Sequence, residues 1–387
     1  MSARAVHAVA ASHVFDGVAV LSDSAVIIEG AHIAEVRPTA ELPASMPVVH
    51  LPGNAWLAPG FIDVQVNGGG DVLFNDTPTA AGIHAIVAAH RRFGTTAVLP
   101  TLISDTHEKM VTALAAAREA AASNPGVLGI HFEGPFLSPE KPGVHDKAMF
   151  RAPDAADLKL LTSWSEGAVL VTLAPERVPA DFIKDLSDAG VRVSLGHSMA
   201  SYEQARSALD SGLTGFTHLF NAMPQLSSRA PGPIAAALES PATWFGMIVD
   251  GEHVAPPMLR LAVRGQSRPM LVTDAMPPVG GEKQTFTLYG QEITTHDGRC
   301  TRADGTLAGA AIDMASCVRN TVQKLGVPLT AALQYASTEP AEFLGLGTIL
   351  GRLAPAFRAD LVAFEPESID VLETWVAGEA ADAKPRY

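Results

Sequence analysis

The segment 131-HFEGPF-136 decides the fold, because it brings a carboxylate, Glu133, to the point where a short apolar strand meets a Gly-Pro break. Three later segments repeat this layout and end on metal-ligand or acid/base residues: 191-VRVSLGHS-198, 215-GFTHLFNAM-223 and 270-MLVTDAM-276. The recurrence predicts a set of similar strands that carry polar side chains at their ends.

Runs rich in β-branched residues alternate with Ala-rich helical runs through the middle of the chain. The strand predicted over 61–68, for example, precedes a helix predicted over 79–94 that stops at Gly94. The other predicted strands cover 95–102, 127–134, 168–176, 191–198, 215–223, 244–251 and 270–276. Eight strands alternating with eight helices predict a closed (β/α)8 barrel, or TIM barrel, with a hairpin-like insertion at 286–309 before the last helix.

The two ends of the chain share a residue pattern that differs from that of the middle. Residues 6–52 consist of short β-prone pieces separated by turns, and 359–379 reads in the same way. The ends therefore predict one small β-sandwich domain, residues 1–53 plus 350–387, with the barrel of residues 54–349 inserted between them.

Composition excludes several classes of protein. The 387 residues carry a formal net charge of −14 with no cluster of Lys and Arg, which argues against nucleic-acid binding. No segment has the apolar length of a membrane span or the form of a signal peptide. Two cysteines, Cys300 and Cys317, are too few for a disulfide framework. We expect a cytoplasmic protein without nucleic-acid or membrane partners.

The strand ends predict a metal site. In (β/α)8 barrels the carboxyl ends of the strands meet at one mouth, so Glu133, His197, His218 and Asp274 are expected to face one cavity. One carboxylate and two neutral imidazoles can hold a zinc-class ion and leave a position open for water. Asp274 would then accept a proton from that water. His131 lies on the same strand face as Glu133 and is a possible further ligand by spacing alone, but we predict that it packs in the barrel or supports the ligands instead.

A single histidine at a strand end is more often a hydrogen-bonded core residue than a ligand. The prediction therefore depends on the four residues together, because charged groups inside a barrel are costly unless they are paired or metal-bound.

At these residues the sequence resembles the amidohydrolase superfamily, and within it the family of N-acetylglucosamine-6-phosphate deacetylases. The matching motifs run in order along nearly the whole chain: HFEGPF, KPGVH, VTLAPE, GHS, THLFNAMP, SRAPG, DGEH, LVTDAM and GTLAG. The resemblance implies metal-dependent hydrolysis of N-acetyl-D-glucosamine 6-phosphate to D-glucosamine 6-phosphate and acetate.

The resemblance implies that the three ligands predicted above bind the metal and that Asp274 is the catalytic acid/base. Many members of the superfamily have a His-x-His pair at the end of the first strand. This chain has Gln65 and Asn67 there, and both are poor zinc ligands. The resemblance therefore implies one divalent ion per subunit, zinc first, with iron, manganese or cobalt as alternatives.

Substrate contacts are also implied by the resemblance. They are Val144, His145, Asn221, Ala222, Arg229, Asp250, His253, Leu307, Ala308 and Gly309. His145 would be a second catalytic residue that stabilises the oxyanion, unless it is an ordinary surface histidine. Arg229 suits a phosphate group, unless it is a solvated loop charge. Arg229 and His253 are expected to serve the neighbouring subunit's site in a homodimer.

Two other functions stay open at this point. One is a related amidohydrolase that acts on another N-acetyl amino sugar phosphate or on an N-acyl amino acid. The other is a barrel that binds sugar phosphates without catalysis, which the joint presence of the four strand-end residues disfavours.

Overall fold

The computed structural model of the chain describes residues 6–381. This part of the chain divides into two compact units. One runs to Asp63, adds His90–Ala97 and resumes at Met314, and the other consists of Val64–Ala89 and Val98–Asp313. The domain boundaries predicted after residues 53 and 349 stay a prediction. Within residues 6–381, every helix is too short or too polar to cross a bilayer.

The strands in chain order are β1 (Val6–Phe15), β2 (Val20–Glu29), β3 (His32–Pro38), β4 (Val48–His50), β5 (Trp56–Pro59), β6 (Phe61–Val66), β7 (Gly68–Gly69), β8 (Val72–Leu73), β9 (Thr95–Ile103), β10 (Gly129–Glu133), β11 (Ala168–Leu173), β12 (Arg192–Leu195), β13 (Gly215–Phe216), β14 (Trp244–Met247), β15 (Arg268–Leu271), β16 (Thr285–Leu288), β17 (Gln291–His296), β18 (Arg299–Thr301), β19 (Leu307–Ala310), β20 (Leu361–Phe364), β21 (Val371–Val376) and β22 (Glu379–Ala380). The α-helices are α1 (Ala80–Arg91), α2 (His107–Ser123), α3 (Ala155–Leu161), α4 (Ala180–Asp188), α5 (Tyr202–Asp210), α6 (Gly232–Leu238), α7 (Pro256–Ala262), α8 (Met314–Leu325), α9 (Leu329–Ala336) and α10 (Thr338–Phe343).

Eight parallel strands form the barrel sheet in the order β6-β9-β10-β11-β12-β13-β14-β15. The last strand returns to the first, because Ala275 forms a parallel bridge with Val66 and the Asp274 amide donates to the Gln65 carbonyl. Each strand is followed along the chain by one of the helices α1 to α8. The predicted (β/α)8 fold is confirmed, and the continuous apolar runs are explained by strands buried on both faces.

The sixth barrel strand is much shorter than predicted. The apolar run over 215–223 predicts a long strand, but β13 contains only Gly215 and Phe216. His218, Phe220 and Ala222 all adopt positive φ angles, and a strand cannot continue through the left-handed region. The chain therefore turns sharply at the position of the predicted ligand.

The insertion before α8 is larger than the predicted hairpin. It forms a four-stranded antiparallel sheet in the order β16-β17-β18-β19. Leu288, Ile293 and Cys300 of this sheet pack in one buried core with Ile103 and Val144. We refer to β16–β19 below as the insertion sheet. Helices α9 and α10 were not predicted.

The predicted pairing of the two chain ends is confirmed. Strands from both ends form one mixed sheet in the order β22-β21-β20-β5-β1-β2-β3, and β4 also pairs with β1. Val26 and Ile28 near one edge share a buried core with Leu361 and Trp375 near the other. The two chain ends therefore form one mixed sheet with a shared core, while the predicted sandwich arrangement stays a prediction.

A buried carboxylate anchors the long segment between β10 and α3. Asp157 is fully buried and accepts from both terminal nitrogens of Arg151, with a distance of 2.7 Å for Nη2. It also accepts from the Asp154 amide at 3.0 Å and from His107 Nδ1 at 2.9 Å. Burial by itself would raise the pKa of Asp157, but these donors, led by Arg151, lower it below its ordinary value.

Replacing Asp157 with Asn is expected to lower the free energy of unfolding by about 3 kcal/mol near pH 7, because Arg151 loses its charged partner. The folded-state pKa of Asp157 lies below its ordinary value of 3.8, so the carboxylate stabilises the fold fully above that value and progressively less as the pH falls through the folded pKa. Urea unfolding of both proteins at several pH values measures this difference, which should shrink in acid.

The matched control for this prediction is Asp188→Asn. Asp188 also forms an ion pair, with Lys184, but both side chains are largely exposed. This change should have no measurable effect, since exposed pairs contribute little. Equal stability of the two variants would contradict the anchoring role of Asp157.

Candidate metal and catalytic site

Three predicted ligands converge at the ends of three strands of the barrel sheet. Glu133 is the last residue of β10, while His197 and His218 each lie two residues beyond β12 and β13. The Nε2 atoms of His197 and His218 lie 3.1 and 3.0 Å from Glu133 Oε1, and 3.0 Å from each other. All three side chains are buried. The structure therefore brings together the group that the sequence predicts.

The ligand atoms of this group fit a divalent cation. His197 Nδ1 lies 2.8 Å from the Lys141 carbonyl oxygen, which can only accept, so Nδ1 carries the proton and Nε2 presents its lone pair to the centre of the group. Burial would raise the pKa of Glu133, but the adjacent His197 and His218 rings hold it well below its usual range. An ionised carboxylate and imidazole nitrogens are the ligands that zinc-class ions prefer.

The backbone at these positions is strained. His197, His218 and Asp274 adopt φ angles of 47°, 31° and 51°, in the left-handed region that is uncommon for residues other than glycine. Such strain costs about 1–3 kcal/mol per residue and clusters at functional sites. Here it turns the chain at the strand ends, where the two imidazoles meet Glu133.

Asp274 lies across the cavity and is held by two amides. Its Oδ1 accepts from Asn67 Nδ2 at 2.6 Å and from Gln65 Nε2 at 3.2 Å. The same Gln65 nitrogen lies 3.3 Å from Glu133 Oε2, so Gln65 bridges the two carboxylates. The sequence marks Gln65 and Asn67 only as replacements for a His-x-His pair. Gln65 lies on β6 and Asn67 directly follows the end of that strand. Their spacing of two, which puts both side chains on one face, is the signal that points to a shared role.

The pKa of Asp274 is raised to about 6. Burial is the main cause, and the negative charge of Glu133 adds to it. A carboxyl group that titrates near this value can accept a proton and return it close to neutral pH. Asp274 therefore has the properties of a general acid/base.

His145 is neutral and has a defined tautomer. The Ser104 amide donates to His145 Nδ1 at 3.3 Å, and Ser104 Oγ lies 2.8 Å from the same atom. A backbone N–H can only donate, so Nδ1 is an acceptor and Nε2 carries the proton. Burial, followed by the nearby His197 ring, holds the pKa of His145 well below its usual range. His145 is thus a neutral N–H donor, which can stabilise an oxyanion.

A cavity of about 350 Å³ opens onto these groups. Seven predicted substrate contacts line it: Val144, His145, Asn221, Ala222, His253, Leu307 and Gly309. Asp250 Oδ2 lies 2.6 Å from His253 Nδ1 and positions that ring. Ala308 is fully buried in the core of the insertion sheet, and Arg229 is exposed and does not line the cavity. Glu140, Lys141 and Thr306 line the cavity without having been predicted.

His131 is hydrogen-bonded to two threonines and is not part of the ligand group. Its Nδ1 lies 3.2 Å from Thr101 Oγ1 and its Nε2 lies 2.8 Å from Thr172 Oγ1. Both ring nitrogens therefore have partners inside the barrel, as expected of a packing residue rather than a ligand.

A (β/α)8 barrel that gathers a carboxylate, two imidazoles and a separate buried acid at its strand ends is the architecture of a metal-dependent hydrolase. Family comparisons agree with this class. The Amidohydrolase family matches residues 56–382, and the NagA composite domain matches residues 6–55.

Named relatives cover most of the chain. N-acetylgalactosamine-6-phosphate deacetylase of Shewanella sp. (strain ANA-3) is 42% identical over 88% of this chain and 86% of the relative. N-acetylglucosamine-6-phosphate deacetylase of Haemophilus influenzae is 36% identical over 93% of this chain and 95% of the relative. The crystal structure of N-acetylglucosamine-6-phosphate deacetylase from Pasteurella multocida has a TM-score of 0.94 and 35% identity, covering 97% of this chain and 99% of that chain. The chain belongs to the amidohydrolase family, in its branch of N-acetylhexosamine-6-phosphate deacetylases.

The comparisons support a broader class of substrate, an N-acetylhexosamine 6-phosphate, than the single sugar that the sequence predicts. Relatives named for the glucosamine and for the galactosamine sugar are similarly close. The choice of N-acetyl-D-glucosamine 6-phosphate therefore stays a prediction.

Proposed function

We propose that the chain hydrolyses the N-acetyl group of N-acetyl-D-glucosamine 6-phosphate to give D-glucosamine 6-phosphate and acetate. The observation that carries the proposal is the convergence of Glu133, His197 and His218 beside Asp274 in one buried cavity. Family membership supports an amino sugar 6-phosphate as the substrate class.

The three convergent side chains would hold one divalent ion per subunit. We propose zinc, with iron, manganese and cobalt as alternatives, because the same nitrogen and oxygen ligands accept all four. When bound, the ion supplies a Lewis acid and makes water more acidic. Gln65 and Asn67 donate hydrogen bonds to carboxylates here, so these amides have roles other than binding a second ion.

The chain's own groups then account for the proton transfers. Asp274 accepts a proton from the water whose oxygen bonds to the acetyl carbonyl carbon. His145 donates its Nε2–H to the carbonyl oxygen as negative charge develops there. Asp274 then passes the proton to the amine nitrogen as the C–N bond breaks, which releases acetate and a free amine.

The phosphate needs positive charge that the cavity hardly provides. Of the described residues that line it, Lys141 is the one Lys or Arg, alongside His253. Arg229 is exposed on the loop between β13 and α6. We propose that Arg229 reaches the phosphate in a neighbouring subunit of a homodimer, while His253 lines the cavity of its own chain.

Replacing Arg229 with Ala is expected to lower kcat/KM for the 6-phosphate by about 10- to 100-fold, the size of a lost charge-assisted hydrogen bond. Hydrolysis of the unphosphorylated sugar should not change. Acetate release measures both. Arg118→Ala, which removes another arginine outside the cavity, is the control. Equal losses on both substrates, or full activity in a dilute monomer, would contradict the phosphate role across subunits.

N-acetyl-D-galactosamine 6-phosphate is the second candidate substrate, favoured by the 42% identity to the Shewanella relative. The test is acetate release from both sugar phosphates, the unphosphorylated sugar and an N-acetyl amino acid, together with metal analysis of the same preparation. A higher kcat/KM for the glucosamine sugar supports our choice, and the reverse order favours the second candidate. No release from either sugar phosphate by metal-loaded protein would refute the deacetylase proposal.

A further inference from the structure

Two hydrogen bonds from the insertion sheet end on the immediate neighbours of His145. Tyr289 donates its hydroxyl to the Ser104 carbonyl oxygen at 2.6 Å. Arg302 Nη2 donates to the Val144 carbonyl oxygen at 2.6 Å. Ser104 holds the His145 ring through Nδ1, and Val144 precedes His145 in the chain. The insertion sheet therefore contacts both the ring support and the backbone of this histidine.

Apolar packing joins the same segments. Ile103, next to Ser104, and Val144, next to His145, are both part of the buried core that Leu288 and Ile293 of the insertion sheet form. The polar and apolar contacts thus act on the same two positions. A displacement of the insertion sheet would be transmitted to both.

The conformation of Tyr289 is unusual. Tyr289 and Gly290 form the two-residue turn between β16 and β17, with φ angles of 50° and 73°. Turns with two positive φ angles favour Asn, Asp or Gly at the first position, so a tyrosine is disfavoured there. Strained positions of this kind cluster at functional sites, and the strain here places the hydroxyl against Ser104.

The Tyr289 hydroxyl also stays protonated and can therefore donate. Burial is the main cause that raises the pKa of its phenol, and nearby carboxylates add to it. The hydroxyl therefore keeps its proton throughout the working pH range.

We infer that Tyr289 is a positioning residue, which holds Ser104 so that its amide and hydroxyl keep His145 Nδ1 as an acceptor and leave the Nε2–H for the substrate carbonyl. Tyr289 touches no reacting atom and acts through Ser104 and His145. This inference rests on the proposed function, in which His145 donates to the developing oxyanion.

The test is Tyr289→Phe, which removes the hydroxyl and keeps the ring. We expect kcat to fall about tenfold, the effect of one lost hydrogen bond, while KM stays within about twofold and metal content is unchanged. The matched control is Tyr202→Phe, which removes a tyrosine hydroxyl that donates to Glu239 on the surface. It should leave kcat unchanged. Equal kcat values for the two variants would overturn the inference.

A double-mutant cycle separates positioning from general destabilisation. In a His145→Asn background, Tyr289→Phe should cause no further loss of kcat, because the residue through which it acts is gone. Additive losses would show that Tyr289 acts independently of His145, which would also overturn the inference.

A readout independent of turnover completes the test. In protein labelled with ¹⁵N at histidine, His145 should show a single Nε2–H tautomer, and Tyr289→Phe should mix the tautomers while Tyr202→Phe should not. Absence of acetate release by the wild type refutes the proposed function but leaves this measurement decisive for the positioning of His145. Normal turnover by the wild type with an unaltered His145 signal in Tyr289→Phe refutes only the inference.

Discussion

Replacing Asp274 with Asn is expected to lower kcat by about a thousandfold, near the middle of the range that general acid–base catalysis contributes. Asn is almost isosteric and its oxygen can still accept from Asn67, so the cavity should keep its shape. It cannot take a proton from water or return one to the amine. Acetate release measures kcat, and metal analysis should show unchanged content. A variant that keeps more than about a tenth of wild-type kcat would remove Asp274 from proton transfer.

The pH profile gives the same prediction a second measurement. The pKa of Asp274 is raised to about 6, so the carboxylate that accepts the proton predominates above that pH. We expect kcat/KM of the wild type to fall about tenfold per pH unit below this value, since only the ionised form is active. The residual activity of Asp274→Asn should not show this fall in kcat/KM at acidic pH, the acid limb of the profile. An acid limb that persists in the variant would belong to another group.

Replacing Glu133 with Gln is expected to remove both metal and activity. Glu133 is the one carboxylate in the group with His197 and His218, and it is the only member that carries negative charge. Mutating a residue that only hydrogen-bonds to a metal ligand lowers metal affinity or activity by about 10- to 100-fold. Removing the charge of a ligand itself should lower metal affinity by more than this. Metal content after dialysis and acetate release are the two measurements.

Glu140→Gln is the matched control, because Glu140 also lines the cavity but is bonded to Ser138 rather than to the ligand group. It removes one negative charge from the same cavity and should retain the metal. A Glu133→Gln protein with undiminished metal and activity would displace Glu133 from the centre of the site.

Two amide side chains, Gln65 and Asn67, hydrogen-bond to the carboxylates of the site. Gln65 contacts Glu133 and Asp274, and Asn67 contacts Asp274, so both amides donate hydrogen bonds to carboxylates. The hydrogen bond from Asn67 also lowers the pKa of Asp274 against the effect of burial. Gln65 and Asn67, at and directly after the end of β6, therefore hold the two carboxylates by hydrogen bonds.

Local sequence was sufficient where chemistry and geometry are encoded within a few residues. Glu133 ends its strand because Gly134 and Pro135 follow, and the strand and helix runs alternate with periods that can be counted. The sixth strand was overestimated because its residues are apolar, and apolarity does not reveal that His218 turns the chain at φ 31°. The hydrogen-bonding roles of Ser104 and Tyr289 had no local signal.

Residue order is enough to predict the alternation of strands and helices, the pairing of the chain ends and the chemical identity of the residues at the strand ends. The packed fold is what brings Gln65 to Glu133 across 68 residues and to Asp274 across 209. It also decided that His197 and His218 point at one oxygen. The physical reason is that strand pattern is a property of neighbouring residues, whereas a separation of about 3 Å between distant side chains depends on closure of the barrel and on backbone angles that only the packed fold can maintain.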